Sequence, residues 1–380
     1  MKIILGGVAS AKKFRANGLW CGIKKSGKPD LALIASDIPA VAAGVFTKNS
    51  VKAAPLTVSL KNIRDHKIQA IVINSGNANC FTGRFGYTYA RQTTRLIGQL
   101  LNIPDTDVLV SSTGIIGKPL PYKKIEAAAP RLVRGLSANG SVKAAKAILT
   151  TDLKTKEICV TLTINGKTVT IGACAKGSGM VAPNMATMLA FITTDANISA
   201  KMLKHAIKAA SELSFNRITI DGCMSTNDMA VVLANGATGN KKISAAGKEF
   251  DKFQSALNHV CLDLAKRMVK DAEGATKFIA ITVRGAKSDK QAKQTGLAIA
   301  NSALVKTAAF GKNPNWGRVA AAVGSLEIKS VTEDTLKINF SDFSKEDITI
   351  EVSLGIGKGS ATVYTSDLSY EYVRINGAYN

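Results

Sequence analysis

Apolar positions run through this chain in two rhythms. Ile68-Gln-Ala-Ile-Val-Ile73 is a near-continuous apolar run, suited to a strand covered on both faces. Trp20–Ile23, Leu31–Ala35 and Ala40–Phe46 read as shorter strands, separated by turns at Lys25-Ser-Gly-Lys-Pro29 and followed by one at Lys48-Asn-Ser50. Asp107-Val-Leu-Val110 is another strand, and Ile158–Ile164 with Thr168–Ile171 forms a hairpin around Asn165-Gly166. Helical spacing appears over 87–101, 123–136, 142–149 and 199–213, with Asn197 or Ser199 capping the last. The stripe Phe250, Phe253, Leu257, Cys261, Leu264 and Met268 predicts a long helix over 246–270, with Gly274 as its stop. Arg217–Ile220 and Lys277–Val283 read as strands and Ile299–Thr307 as helix. Strand-like stretches follow at 335–340, 348–354 and 361–364. The alternation predicts an α/β or α+β fold in layers of helix and sheet.

A length of 380 residues suggests about two domains. No apolar run approaches the roughly 20 residues that span a bilayer. The opening Met1-Lys-Ile-Ile-Leu-Gly6 has too short an apolar part for a secretory signal, so a cytoplasmic protein is the expectation. The six cysteines include no C-x-x-C pair and are expected as thiols in a reducing compartment. His66, His205 and His259 are scattered, so neither a histidine triad nor a histidine metal site is expected. The formal net charge of +23 invites a nucleic-acid reading. The lysines are spread singly and aromatics make up only 6%, which favours a solvated surface that steers anionic small substrates.

Chemistry concentrates where strands end. Asn74-Ser-Gly-Asn-Ala-Asn79 is dense in amides and predicts a tight hydrogen-bonded loop. Ser111-Ser-Thr-Gly-Ile-Ile-Gly117 leaves a buried strand either as an ordinary strand-to-helix turn or with N–H groups free for an oxyanion hole or an anion nest. Lys176-Gly-Ser-Gly-Met-Val-Ala-Pro-Asn-Met-Ala-Thr-Met-Leu189 passes from glycine loop to β-prone strand. Gly177 and Gly179 are expected at backbone angles closed to other residues, giving slack behind Ala186 and Thr187. A threonine hydroxyl there could attack the carbonyl just before it.

These loops together resemble the glutamate N-acetyltransferase (ornithine acetyltransferase) family of arginine biosynthesis. The match takes in Gly44–Pro55, Asn74–Asn79, Ser112–Gly117, Lys176–Leu189, Ser214–Thr219, Ser225–Asp228, Glu273–Lys277, Phe310–Arg318 and Tyr372–Asn376, in family order over nearly the whole chain. The resemblance implies an αββα sandwich like that of self-cleaving aminopeptidases of the DmpA kind. It implies cleavage between Ala186 and Thr187 into an α chain, 1–186, and a β chain, 187–380, with a smaller α/β part from about 280. The two associate as α2β2. Acetyl moves from N2-acetylornithine to glutamate through an acetyl ester on the nucleophile Thr187, with no cofactor or metal, and some members also take acetyl-CoA as donor.

By the same resemblance Thr113 and Gly114 stabilise the oxyanion, and Thr150, Lys176, Thr187, Glu273 and Asn376 bind the amino-acid substrate. Two departures stand out. Cys223-Met224 replaces a more polar pair, and the family usually continues one residue past Asn380 to a threonine or serine that contacts substrate. Either Asn380 substitutes or that contact is missing. A self-cleaving aminopeptidase of the same fold is the rival reading; the ordered loops, Phe310–Arg318 above all, favour the transferase.

Overall fold

The computed structural model describes residues 1–182 and 188–378. The first part runs β1 (Lys2–Ile4), β2 (Phe14–Leu19), β3 (Leu31–Phe46), α1 (Ala54–Asn62), β4 (Lys67–Asn77), α2 (Gly83–Leu101), β5 (Val108–Ile115), α3 (Tyr122–Arg134), α4 (Ser141–Ala147), β6 (Lys156–Ile164) and β7 (Lys167–Lys176). The second runs β8 (Leu189–Thr194), α5 (Ala200–Leu213), β9 (Met229–Ala234), α6 (Lys248–Lys270), β10 (Phe278–Ala286), α7 (Asp289–Asn301), α8 (Ala303–Phe310), α9 (Trp316–Gly324), β11 (Lys337–Phe340), β12 (Asp347–Ser353), β13 (Gly359–Ser366) and α10 (Tyr370–Gly377).

Local signals explain much of this. Asn165 and Gly166 sit at φ of 46° and 73°, so the β6–β7 hairpin turns with the twist that its strands need. Ser199 caps α5 by accepting the Met202 N–H. Other expectations fail for tertiary reasons. Residues 20–23 form no strand, because the Asp30 carboxylate takes the Cys21 and Lys24 N–H groups into a loop. The two strands expected over 31–46 are one, bent where its pairing register shifts between Ala35 and Ala40. Pro39, which has no N–H, lies in that bend. The helix α1 was unforeseen; Pro55 opens it in the first turn, where no N–H is needed. Ile218 makes a single bridge to Tyr364 in place of a strand. The helix expected over 299–307 is two, divided where Ser302 caps α8.

One long sheet, β1-β6-β7-β8-β9-β3-β4-β5 with β2 beside β3, folds over on itself through the bend in β3. The N-terminal half of β3 pairs with β4 and its C-terminal half with β9. Alternation along the strands then assigns each face. Ile34, Ile71 and Ile73 from one half meet Cys174, Phe191 and Val231 from the other in a shared inner core. On the outer face of the first half, Leu33, Val72 and Val110 pack under α2 and α3. On the outer face of the second, Val160, Ala190 and Val232 pack under α5 and α6. The layers are therefore helix, sheet, sheet, helix. Each fully buried Leu, Ile, Val or Phe contributes about 1.5–3 kcal/mol.

A second sheet, β11-β12-β10-β13, carries α7, α8 and α9 on its own core. Its other face meets the outer layer at α6, where Lys266 Nζ lies 5.0 Å from the Tyr364 ring centre. α10 follows β13 and buries none of its residues. No helix among the described residues is long and apolar enough to cross a membrane.

Candidate active site

The two halves of the folded sheet bring their strand ends together at one edge. Six of the residues singled out above line a single pocket there: Thr113, Gly114, Thr150, Lys176, Glu273 and Asn376. Ala186, Thr187 and Asn380 lie outside the described residues.

Thr113 and Gly114 end β5, beside the parallel strand β4, at a point where the register slips between Gly76 and Asn77. Gly114 has φ +132°, and a Cβ there would stand 2.4 Å from the Gly76 carbonyl carbon and 2.5 Å from the Asn77 nitrogen. Both the angle and the backbone contact require glycine. The amide loop is cross-braced as its composition predicts. Asn74 Nδ2 donates to Asn77 O at 2.8 Å, and Ser112 Oγ donates to Asn74 Oδ1 at 2.5 Å. Asn227, part of the Ser225–Asp228 motif but with no expected role, completes the brace. Asn227 Nδ2 donates to Ala78 O at 2.7 Å and to Ser112 O at 2.9 Å. The peptide ahead of Thr113 is thereby held from the opposite half of the sheet.

Lys176 is the last residue of β7 and is buried. Its Nζ donates to Thr150 Oγ1 at 2.7 Å and lies 3.7 Å from Asp152 Oδ2. Burial lowers the Lys176 pKa, and the Asp152 carboxylate opposes that. Across the pocket Glu273 follows α6. Its N–H donates to Ser178 O at 2.8 Å, and its Oε2 accepts from Asn376 Nδ2 at 2.9 Å. The two glycines expected to share one role differ. Gly177 has φ +158° and donates its N–H to Asp152 Oδ1 at 2.8 Å. Gly179 has no positive φ; it leaves room, since a Cβ would come within 2.3 Å of Glu273 Oε2.

Two carboxylates hold the ends of the segment around the expected cleavage point. Asp221 accepts the Met180 N–H at 2.6 Å and the Val181 N–H at 2.9 Å. Asp228 accepts the Met188 N–H at 2.9 Å. Burial pushes the Asp228 carboxyl well above the usual range. Asp228 was not singled out beforehand, although an acid placed directly before the wholly apolar strand Met229–Ala234 was a visible signal. At Cys223-Met224 the backbone is held: Cys223 N–H donates to Asp221 Oδ1 at 3.2 Å and Met224 O accepts from Asn49 Nδ2 at 3.1 Å.

The pocket thus offers an ammonium on one wall, a carboxylate on another, and a strained glycine peptide beside a threonine hydroxyl between them. That arrangement suits an amino acid and a developing oxyanion. None of the three histidines lines it. Among the described residues no group of three His, Cys, Asp or Glu is placed to hold a metal ion.

The chain belongs to the ArgJ family, whose model matches residues 15–380. It is 45% identical to the arginine biosynthesis bifunctional protein ArgJ of Geobacter sulfurreducens, over 97% of this chain and 99% of that protein. It is 43% identical to the glutamate N-acetyltransferase of Methanocaldococcus jannaschii, over the full length of both. Among solved structures, an ornithine acetyltransferase from Mycobacterium tuberculosis in complex with ornithine is 37% identical over 48% of this chain and 97% of that chain, with a TM-score of 0.46.

Proposed function

We propose that this member of the ArgJ family transfers the acetyl group of N2-acetylornithine to glutamate, through an acetyl ester on Thr187 formed after the chain cuts itself. In the first stage the Thr187 hydroxyl adds to the Ala186 carbonyl carbon. The Ala186–Thr187 amide becomes an ester, and water opens it. The α chain then ends in the Ala186 carboxylate and the β chain begins with a free α-amine. An unperturbed α-amine titrates at about 7.7–8.0, so it can take the hydroxyl proton near neutral pH. Nucleophile and base on one residue make a histidine unnecessary.

In the second stage the Thr187 hydroxyl attacks the acetyl carbonyl of N2-acetylornithine. The amide nitrogen leaves with a proton as the ornithine amine. Glutamate's amine then attacks the acetyl ester, giving N-acetylglutamate and restoring the hydroxyl. Thr113 and Gly114 stabilise the oxyanion in both halves. Lys176 pairs with the substrate carboxylate, Thr150 holds Lys176, and Glu273 with Asn376 receives an ammonium. Acetyl-CoA, as a second acetyl donor, would act as co-substrate. Two α and two β chains form the enzyme in the cytoplasm.

The observation that carries this reading is the gathering of Lys176, Glu273 and the Thr113–Gly114 turn around one pocket. The test is incubation with N2-acetylornithine, with and without glutamate, alongside a denaturing gel. Ornithine release that requires glutamate, and two fragments split before Thr187, are expected. Ornithine release independent of glutamate would assign a hydrolase, and a single full-length band would remove the self-cleavage.

A further inference from the structure

Behind Lys176 and Glu273 lies a row of buried charges that the reaction itself does not use. Lys156 Nζ sits between two carboxylates, 2.7 Å from Asp152 Oδ1 and 2.5 Å from Asp271 Oδ2. Asp152 in turn lies 3.7 Å from Lys176 Nζ. Signs alternate along the row, plus at Lys176, minus at Asp152, plus at Lys156 and minus at Asp271. The side chains of Lys156 and Asp152 are 1% and 0% exposed.

Such a cluster is a poor device for stability. Removing ions from water is costly, and apolar replacements of buried ion pairs are often neutral or better. Its hydrogen bonds point to another use. Asp271 Oδ2 also accepts the Leu153 and Lys154 N–H groups, each at 3.2 Å, which fastens the loop after Thr150 to the end of α6. Asp152 accepts the Thr150 N–H at 3.1 Å and the Gly177 N–H at 2.8 Å. Thr151 Oγ1 and Ser178 Oγ are 2.7 Å apart, and Ser178 O holds the Glu273 N–H. The segments bearing Thr150, Lys176 and Glu273 are therefore locked to each other. The lock crosses the expected cleavage point, since Asp152 and Lys156 precede it and Asp271 follows it.

We propose that Asp152, Lys156 and Asp271 are positioning residues that hold the Lys176 ammonium and the Glu273 carboxylate in register for a zwitterionic substrate. The inference rests on the reading of the pocket as an amino-acid site. The charged groups facing Lys176 are Asp152, Lys156, Glu273 and Asp228, with Lys24 nearby. Removing the Asp152 charge leaves burial less opposed, so the ammonium is lost at a lower pH.

The test is calorimetric binding of ornithine across pH, with KM and kcat measured on the same preparations. Asp152→Asn is expected to weaken ornithine binding about tenfold or more, to move the alkaline limb of binding to lower pH, and to raise KM more than it lowers kcat. The double variant Lys156→Met/Asp271→Asn removes one charge of each sign and keeps an acceptor for the Leu153 and Lys154 N–H groups. It is expected to fold with near wild-type stability and still bind ornithine about tenfold more weakly. Wild-type ornithine affinity in this double variant would overturn the proposal, and it decides alone if Asp152→Asn does not fold. A wild type that binds ornithine but transfers no acetyl group would remove the reaction and leave the positioning role standing.

Discussion

Asp228 Oδ1 accepts the backbone N–H of Met188 at 2.9 Å, while its Oδ2 is buried without a hydrogen-bond partner among the described residues. Met188 is joined directly to Thr187, the proposed nucleophile. A carboxyl whose pKa burial raises is thus anchored one peptide from the bond to be cut. An acid of raised pKa there can give a proton to the leaving amide nitrogen as that bond breaks. Asp228→Asn keeps an acceptor for Met188 but loses the acid. Self-cleavage followed on a denaturing gel is expected to slow by about 10². Asp228→Ala also orphans the Met188 N–H, and its thermal or urea midpoint should report a further loss of about 1–3 kcal/mol.

Gly114→Ala should be disabling through the backbone. Its φ of +132° disfavours a side chain, and the added methyl would press on the Gly76–Asn77 backbone. The turn must open, carrying the proposed oxyanion donor with it. A fall in kcat of about 10²–10³ is expected. Unchanged turnover in the purified variant would exclude this turn from the oxyanion site.

Asp152 and Asp228 predict opposite pH effects on stability. Burial would raise the Asp152 pKa, but the Lys176 and Lys156 ammonium groups and the Gly177 N–H hold it well below the usual range. Its contribution is present above the unfolded value of about 3.9 and is lost as pH falls through the folded one. Asp228, with its pKa raised by burial, contributes most below about 3.9 and loses that contribution as pH rises through its folded value. Urea unfolding across pH should show Asp152→Asn flattening the acid limb and Asp228→Asn flattening the limb above it.

Asn376→Ala frees the Glu273 carboxylate from its 2.9 Å bond to the α10 side chain. Asn376 is exposed, so stability should barely change. A hydrogen bond to a charged group contributes about 1.5–3 kcal/mol, so a KM increase of about tenfold or more is expected. Equal KM values would place Asn376 outside substrate binding.

Much of the frame was legible along the chain. The Asn165-Gly166 turn carries its own φ preferences, and the stripe from Phe250 to Met268 has the period of the helix that it forms. What escaped depends on distant partners. Trp20–Ile23 looks β-prone, yet Asp30 captures its backbone. Leu31–Phe46 reads as two strands, because nothing local says that its halves pair with β4 and β9 on opposite layers. Of the pocket, Thr113, Gly114, Thr150, Lys176, Glu273 and Asn376 could be named from motifs in their order. Asn227 and Asp228 lay in the Ser225–Asp228 motif with no role attached, and the row from Asp152 to Asp271 lay in none of the matching segments. Asp152 and Lys156 look like ordinary charges at the close of a helix until the fold brings in Asp271, 115 residues beyond Lys156.

The sequence by itself therefore determined the elements whose signals are short-range: periodicity, turns, caps, and the loops that carry family-specific chemistry. Only the tertiary structure decided which of those loops meet, and what charge each buried group bears. The reason is physical. Backbone propensity acts over a few residues, whereas desolvation and ion pairing depend on whatever the folded sheet places within a few ångströms. Lys176, Asp152 and Asp228 acquire their protonation states from that packing, and so does the pocket that they surround.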